Sequence, residues 1–185
     1  MVVTRLDRRL TARDIDSLPH EWDTRYELIG GTLFMSRRPP FHHQDISARL
    51  MISLGPDILR QAGHVVPEPG IVWEDEGDDN VSPDLAVLLG EAPARGEKLR
   101  RCPDIVVEVV SAGDENRHRD LVAKRELYYR RGAREYWILD PDQGEVLRLS
   151  RGEADWSAER LIGSDVVSTP LVPSWSGIAV ADLLR

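Results

Sequence analysis

The sequence predicts an α+β fold with an α/β core, in which a central mixed sheet is flanked by helices and extra β-hairpins stand at both ends. Three observations predict it. The runs LAVLL, IVVEVVS and REYWILDP are short and apolar on both faces, as strands covered on both sides are. The stretches 42–62 and 117–131 carry helical spacing. Near both ends, alternating segments between turn residues read as half-exposed strands. With 185 residues, 41% hydrophobic and 30% charged, the chain is expected to form one domain over residues 1–185 with a substantial core.

The elements follow in chain order. Thr11 with Asp14 three residues later caps a short helix that Pro19 ends. RYELI, Gly30-Gly31 and TLFMS form a hairpin with a two-residue turn. From His42 to Ala62, Ile46, Leu50, Leu54 and Ile58 mark one helical stripe, which Gly55-Pro56 should kink or split. His64 to Trp73 is a proline-containing strand suited to a sheet edge. The acidic segment Glu74 to Asn80 reads as a solvated turn without the ligand order of a calcium loop. Two apolar strands follow Pro83-Asp84 and Pro103-Asp104, and Gly132 stops the helix Arg117 to Arg131. REYWILDP, EVLRLSR and a terminal helix VADLLR complete the order.

Composition excludes several function classes. A formal charge of −8 argues against a protein that coats polyanions over its whole surface. The charge is nevertheless segregated: Arg95 to Arg134 carries net +4 and the remainder −12. The longest charge-free stretch, Val166 to Ala181, is interrupted by Pro170 and Pro173, so no membrane span is expected. Charges occupy the N-terminus where a signal peptide would be apolar, which points to the cytoplasm. Cys102 is the one cysteine, and the five histidines lack zinc-hydrolase spacing, so carboxylates would have to hold any metal.

Glu108 interrupts IVV-E-VVS, and an ionised carboxylate inside a buried strand requires a compensating partner. A buried ion pair without catalytic role would satisfy that requirement. Asp84 starts the other apolar strand, and two carboxylates brought together by strand pairing would favour a hard cation between them. Asp104 lies about 13 Å from Glu108 along its strand and cannot share that ion. Lys124 lies on the inward helix face with Leu121, Leu127 and Tyr128, from which its ammonium can extend towards Glu108. It could instead snorkel or pair with Asp120. Only two of the 24 cations are lysines, which favours a dedicated role for Lys124.

Taken in order, YELIGGTL at 26–33, His43-Gln44, SPDLAVL at 82–88, PDIVVEVVS at 103–111, RDLVAKRELYYRRGAREYWILDP at 119–141 and the closing TPLVPSWSGIAVADLL resemble the Uma-two family. That family is grouped with restriction endonucleases in the PD-(D/E)XK nuclease superfamily. The resemblance implies a restriction-endonuclease-like fold and a metal-dependent endonuclease acting on nucleic acid, DNA above all. It implies Asp84, Glu108 and the carbonyl of Val109 as ligands of Mg2+ or Mn2+, and Lys124, Glu27 and His43 as further catalytic residues. His42 is adjacent to His43 and competes for its assignment. Val110 stands where the superfamily has a lysine, which this family supplies from the following helix, and Gly30 replaces an acidic residue of the family turn.

Arg100, Arg101, Arg117, Arg119 and Arg125 are the candidates for contacts with a nucleic-acid backbone. Two other readings are open. The chain can be a binding or accessory protein that keeps the nuclease fold without turnover. It can also be a homo-oligomeric module, a homodimer in its simplest form, whose terminal strands pair between subunits with Trp156 and Trp175 as interface anchors. The tryptophans can equally be core.

Overall fold

The computed structural model describes residues 9–19, 22–111, 113 and 117–185. The charged residues 1–8, on which the expectation of no signal peptide partly rests, lie outside them. The fold class is α+β. Helix α1 (Ala12–Ile15) precedes the hairpin of β1 (Thr24–Ile29) and β2 (Thr32–Arg37), and α2 (Phe41–Arg60) follows. Next come β3 (His64–Pro67), β4 (Ile71–Val72), β5 (Asn80–Val81), β6 (Leu85–Leu88) and β7 (Ile105–Val109). Helix α3 (Lys124–Arg131) is entered through a π-helical turn (Arg119–Ala123). Strands β8 (Glu135–Asp140), β9 (Glu145–Arg151) and β10 (Trp156–Ile162) lead to β11 (Val166–Val167), β12 (Ile178–Ala179) and α4 (Val180–Leu184).

Among the described residues the central sheet has the order β10-β9-β8-β7-β6-β3, and a smaller sheet has the order β2-β1-β5-β4. Only β7 and β8 run parallel in the central sheet, joined by the crossover through α3. Side-chain alternation divides the core between its two faces. Ile105, Val107 and Val109 of β7 pack with the α2 stripe Ile46, Leu50, Leu54 and Ile58 and with the C-terminal segment. Val106 and Val110 pack with Leu127, Tyr128, Tyr136 and Ile138 on the α3 side. Glu108 belongs to that second face by the same alternation.

Several sequence expectations change in detail. Helix α2 is neither split nor ended at Pro56. The carbonyl that a residue-56 N–H would have satisfied belongs to Ile52, which lies on the solvent side, where water can replace the lost donor. The segment His64 to Trp73 is two strands, because Pro67-Glu68-Pro69-Gly70 breaks it, and each piece is the end strand of its sheet. Gly30 and Gly31 adopt φ of 56° and 77°, the conformation that a two-residue hairpin turn demands.

The acidic turn is not wholly solvated. Asp79 is buried and accepts hydrogen bonds from Gly30 N (2.8 Å), Arg130 Nη2 (2.8 Å) and Arg131 Nη2 (2.6 Å), tying the hairpin turn to the end of α3. The expectation that Trp156 and Trp175 anchor a subunit interface is also corrected. They are 7% and 5% exposed, Trp156 Nε1 donates to Arg125 O at 3.0 Å, and Trp175 stacks on Trp137 at 6.0 Å while donating to Ser53 Oγ. Both are core residues. The terminal strands β11 and β12 pair with each other within the chain. Among the described residues no helix is long and apolar enough to cross a membrane.

Truncating Trp175 to Ala removes the cover over the α2 side of the sheet and is expected to cost about 3–5 kcal/mol in urea unfolding. Asp79 titrates below the usual carboxylate range: burial opposes this, but the Gly30 N–H and the Arg131 and Arg130 guanidinium groups outweigh it. Its contribution is therefore full above about pH 4 and is lost as pH falls through the lower folded value. Asp79→Asn should destabilise the protein at pH 7 by about 1.5–3 kcal/mol and by distinctly less at pH 3.

Candidate active site

Asp84 and Glu108 meet because β6 and β7 pair antiparallel with Leu85 opposite Val107. One step further along that register sets Asp84 opposite Glu108, on the face turned towards α3. The backbone N–H of Val109 donates to Asp84 Oδ2 at 2.8 Å, fixing the carboxylate against the end of β7. His43, in the first turn of α2, places Nε2 3.2 Å from the same oxygen. Arg25 on β1 lies 3.5 Å from Asp84 Oδ1 and also pairs with Glu68.

Lys124 is 1% exposed and reaches across the α3 face of the sheet. Its Nζ lies 2.8 Å from Glu108 Oε1, 3.0 Å from Glu27 Oε1 and 3.9 Å from Asp120 Oδ1. Tyr128, one turn further along α3, donates to Glu108 Oε1 at 3.1 Å. Glu27 also accepts the Ser82 N–H at 2.9 Å. The π turn explains why Arg119, Asp120 and Lys124 converge. Its extra residue per turn lets the Lys124 N–H donate to Arg119 O, five residues back, and turns both residues towards β1 and β7. Arg119 then pairs with Asp120 at 2.8 Å and stands 3.8 Å from Glu27 Oε2.

The four carboxylates divide electrostatically. Burial, reinforced by the charges of Asp84, Asp120 and Glu27 and opposed by Lys124, lifts Glu108 well above the usual carboxylate range. Burial also raises Asp120 against the pull of Lys124 and Arg119. Glu27 is lowered, since Lys124, Arg119 and the Ser82 N–H outweigh burial. Asp84 is lowered as well, because His43, Lys124 and the Val109 N–H outweigh it. Burial alone would depress Lys124, but Glu108 and Glu27 raise it, so it stays an ammonium. Burial pushes the Cys102 thiol up to about 12, which disfavours the thiolate.

A cavity of about 350 Å³ opens over Asp84 and Glu108 and is also lined by Arg25, His43 and Arg119. Among the described residues two buried nitrogens in its lining side chains have no hydrogen-bond partner, His43 Nδ1 and Arg119 Nη1. Glu108 Oε2 likewise makes no hydrogen bond to a described residue, and Asp84 Oδ1 has only the long contact to Arg25. Among the described residues no three His, Cys, Asp or Glu side chains converge as a metal cage. Two carboxylates crowded by like charge could hold an ion that keeps several waters and takes hard oxygen ligands.

Of the residues expected from sequence, Asp84, Glu108, Lys124, Glu27 and His43 come together, with Val109 adjoining them. The arginines scatter. Arg119 lines the cavity and Arg117 pairs with Asp140 near its edge at 2.7 Å. Arg100 pairs with Asp75 in a separate surface hollow, to which Arg101 also contributes, and Arg125 borders a groove beside Trp156. His42 lines the cavity next to His43 and is exposed. Asp104 organises a loop, accepting the Leu89 N–H at 2.8 Å. Arg25, Asp120 and Tyr128 join the site without having been singled out for it. Arg25 carried a signal in lying two residues before Glu27, on the same strand face, and Tyr128 in lying one helical turn beyond Lys124.

The sequence profile of the Uma2 family, described as "Putative restriction endonuclease", matches residues 12–181. The fold is similar to that of a crystal structure described as a putative nuclease belonging to DUF820 from Anabaena variabilis. That similarity has a TM-score of 0.75 and 18% sequence identity, and covers 95% of this chain and 97% of the other. No curated protein matches the chain.

Lys124→Met leaves Glu27, Glu108 and Asp120 buried without their shared cation and is expected to cost about 3–5 kcal/mol in urea unfolding. Glu108→Gln has the opposite sign. Because Glu108 binds its proton more tightly in the folded than in the unfolded chain, its favourable contribution is present at low pH and lost as pH rises through the raised folded value. In chelator at pH 8 the Gln variant should therefore melt at or above the wild-type temperature.

Proposed function

The chain belongs to the Uma2 family, and on that footing we propose that it hydrolyses phosphodiester bonds in nucleic acid, with DNA as the principal substrate. Asp84, Glu108 and the Val109 carbonyl would hold Mg2+ or Mn2+. One observation carries this reading. Two carboxylates brought together by strand pairing lie at a cavity, and a buried lysine stands 2.8 Å from one of them. When bound, the ion polarises a phosphate oxygen and lowers the pKa of a coordinated water.

The side chains have separable tasks. Lys124 neutralises Glu108 and orients the attacking water beside it. Glu27 holds the Lys124 ammonium from behind, so that the lysine points at Glu108 and not along α3. His43 and the Val109 N–H keep Asp84 ionised and fixed. The unpartnered Nη1 of Arg119 is a donor for a phosphate oxygen, and Asp120 sets the plane of that guanidinium.

Calorimetric titration of Mn2+ into the wild type, Asp84→Asn and Glu108→Gln tests the ligand assignment. Binding is expected in the wild type and its loss in both variants. A screen of DNA and RNA substrates should then show cleavage, reduced about 10²–10⁴-fold in Lys124→Arg with metal binding retained. Absence of Mn2+ binding, even with a short duplex present to complete the coordination shell, would identify an inactive nuclease-fold binding protein instead.

A further inference from the structure

The rim of the cavity differs chemically from its floor. Trp22 and Phe41 are 82% and 85% exposed, the most exposed large apolar side chains among the described residues. Strand register brings them to the same place. Thr24 pairs with Arg37, and the Arg38 N–H donates to Asp23 O at 3.2 Å, so Trp22 lies across from Pro39 at the open end of the hairpin. Phe41 begins α2 two residues later. Arg37, Arg38, Pro39, Pro40 and His42 all line the cavity, and Trp22 and Phe41 adjoin these residues, by register and by sequence, just outside its lining. Arg37 and Arg38 are themselves exposed and form no ion pair with a described residue.

Flat aromatic faces beside uncommitted guanidinium groups bind nucleobases that are not already stacked, together with their phosphates. A continuous duplex has its bases stacked and presents none to such faces. The floor supplies a second observation. Asp84 and Glu108 are buried, in a recess whose volume is that of a site for one small ligand. A nucleotide that has left its helix can enter such a recess, whereas a base-paired one is held within the width of the duplex. Unpaired guanidinium groups at the rim favour a polyanion over a second apolar protein surface.

We infer that the protein takes unpaired nucleic acid, stacking exposed bases on Trp22 and Phe41 while Arg37 and Arg38 hold the adjoining phosphates. The inference rests on the nucleic-acid reading above and names its substrate class.

The test is an anisotropy titration in EDTA at low salt with fluorescein-labelled oligothymidylate of about ten nucleotides, and with a labelled blunt duplex of equal length, with tryptophan emission followed in the wild type. Trp22 is the exposed indole, so stacking should quench the emission of the wild type with the single strand. The single strand should bind roughly tenfold tighter than the duplex, and Trp22→Ala with Phe41→Ala should erase that preference while changing duplex affinity less than about twofold. Trp22→Phe should keep most of the affinity. Arg37→Gln with Arg38→Gln should weaken both ligands and flatten the salt dependence. Unfolding temperatures should not move, since all four side chains are exposed.

Equal affinity for single strand and duplex, or indifference to the aromatic substitutions, would overturn the inference and leave the nucleic-acid reading standing. Failure of the wild type to bind either ligand would overturn both. A wild-type dimer in light scattering that the aromatic substitutions dissolve, without any single-strand preference, would assign the patch to self-association and overturn the inference.

Discussion

The buried ammonium of Lys124 is the charge around which this protein is organised. Three elements converge on it: β1 brings Glu27, β7 brings Glu108, and the π turn brings Asp120. Without a cation at that point, three carboxylates would share a dry space between the central sheet and α3, where unpaired charge is far more costly than at a surface. The arrangement does more than neutralise charge. Glu27 is lowered by Lys124, Arg119 and the Ser82 N–H, whereas burial and its like-charged neighbours leave Glu108 with the higher proton affinity.

Glu108 is thus placed at a stability cost where its chemistry is useful. A buried carboxylate among like charges binds its proton more tightly and gains most from a further cation that approaches. Asp84, directly across the strand pair, is ionised and fixed by groups from α2 and β7. In the proposed reading Asp84 would ligate an ion as it stands, and Glu108 would do so once the ion's charge arrives. The proposed function gives this asymmetry a context, since a metal-dependent nuclease would have to concentrate negative charge enough to hold a metal and still admit a phosphate. Arg25 and Arg119, both at the cavity, moderate that conflict.

The rim and the floor of the cavity are built by different parts of the chain. The floor comes from the central sheet, whose β6 and β7 are buried on both faces and cannot shift without disturbing the whole core. The rim comes from the hairpin end and the start of α2, beside which Trp22, Arg37, Arg38 and Phe41 stand exposed. Recognition can vary at such a rim while the chemistry below remains fixed.

By itself the sequence determined the apolar strands, the α2 stripe and the glycine turn, and it offered Asp84, Glu108 and Lys124 as candidates, to which the family resemblance added Glu27 and His43. Glu108 and Lys124 were legible because each departs from a strong local pattern: a carboxylate within an apolar run, and a lysine on an apolar helix face. Tertiary structure alone decided that Asp79 is buried, that Trp156 and Trp175 are core, and that Arg119 faces the cavity while Arg100, Arg101 and Arg125 do not. A long guanidinium side chain has several carboxylates within reach of any helix or loop position, and composition cannot choose among them. The π turn was also invisible, because it changes backbone registry without altering the spacing of apolar residues.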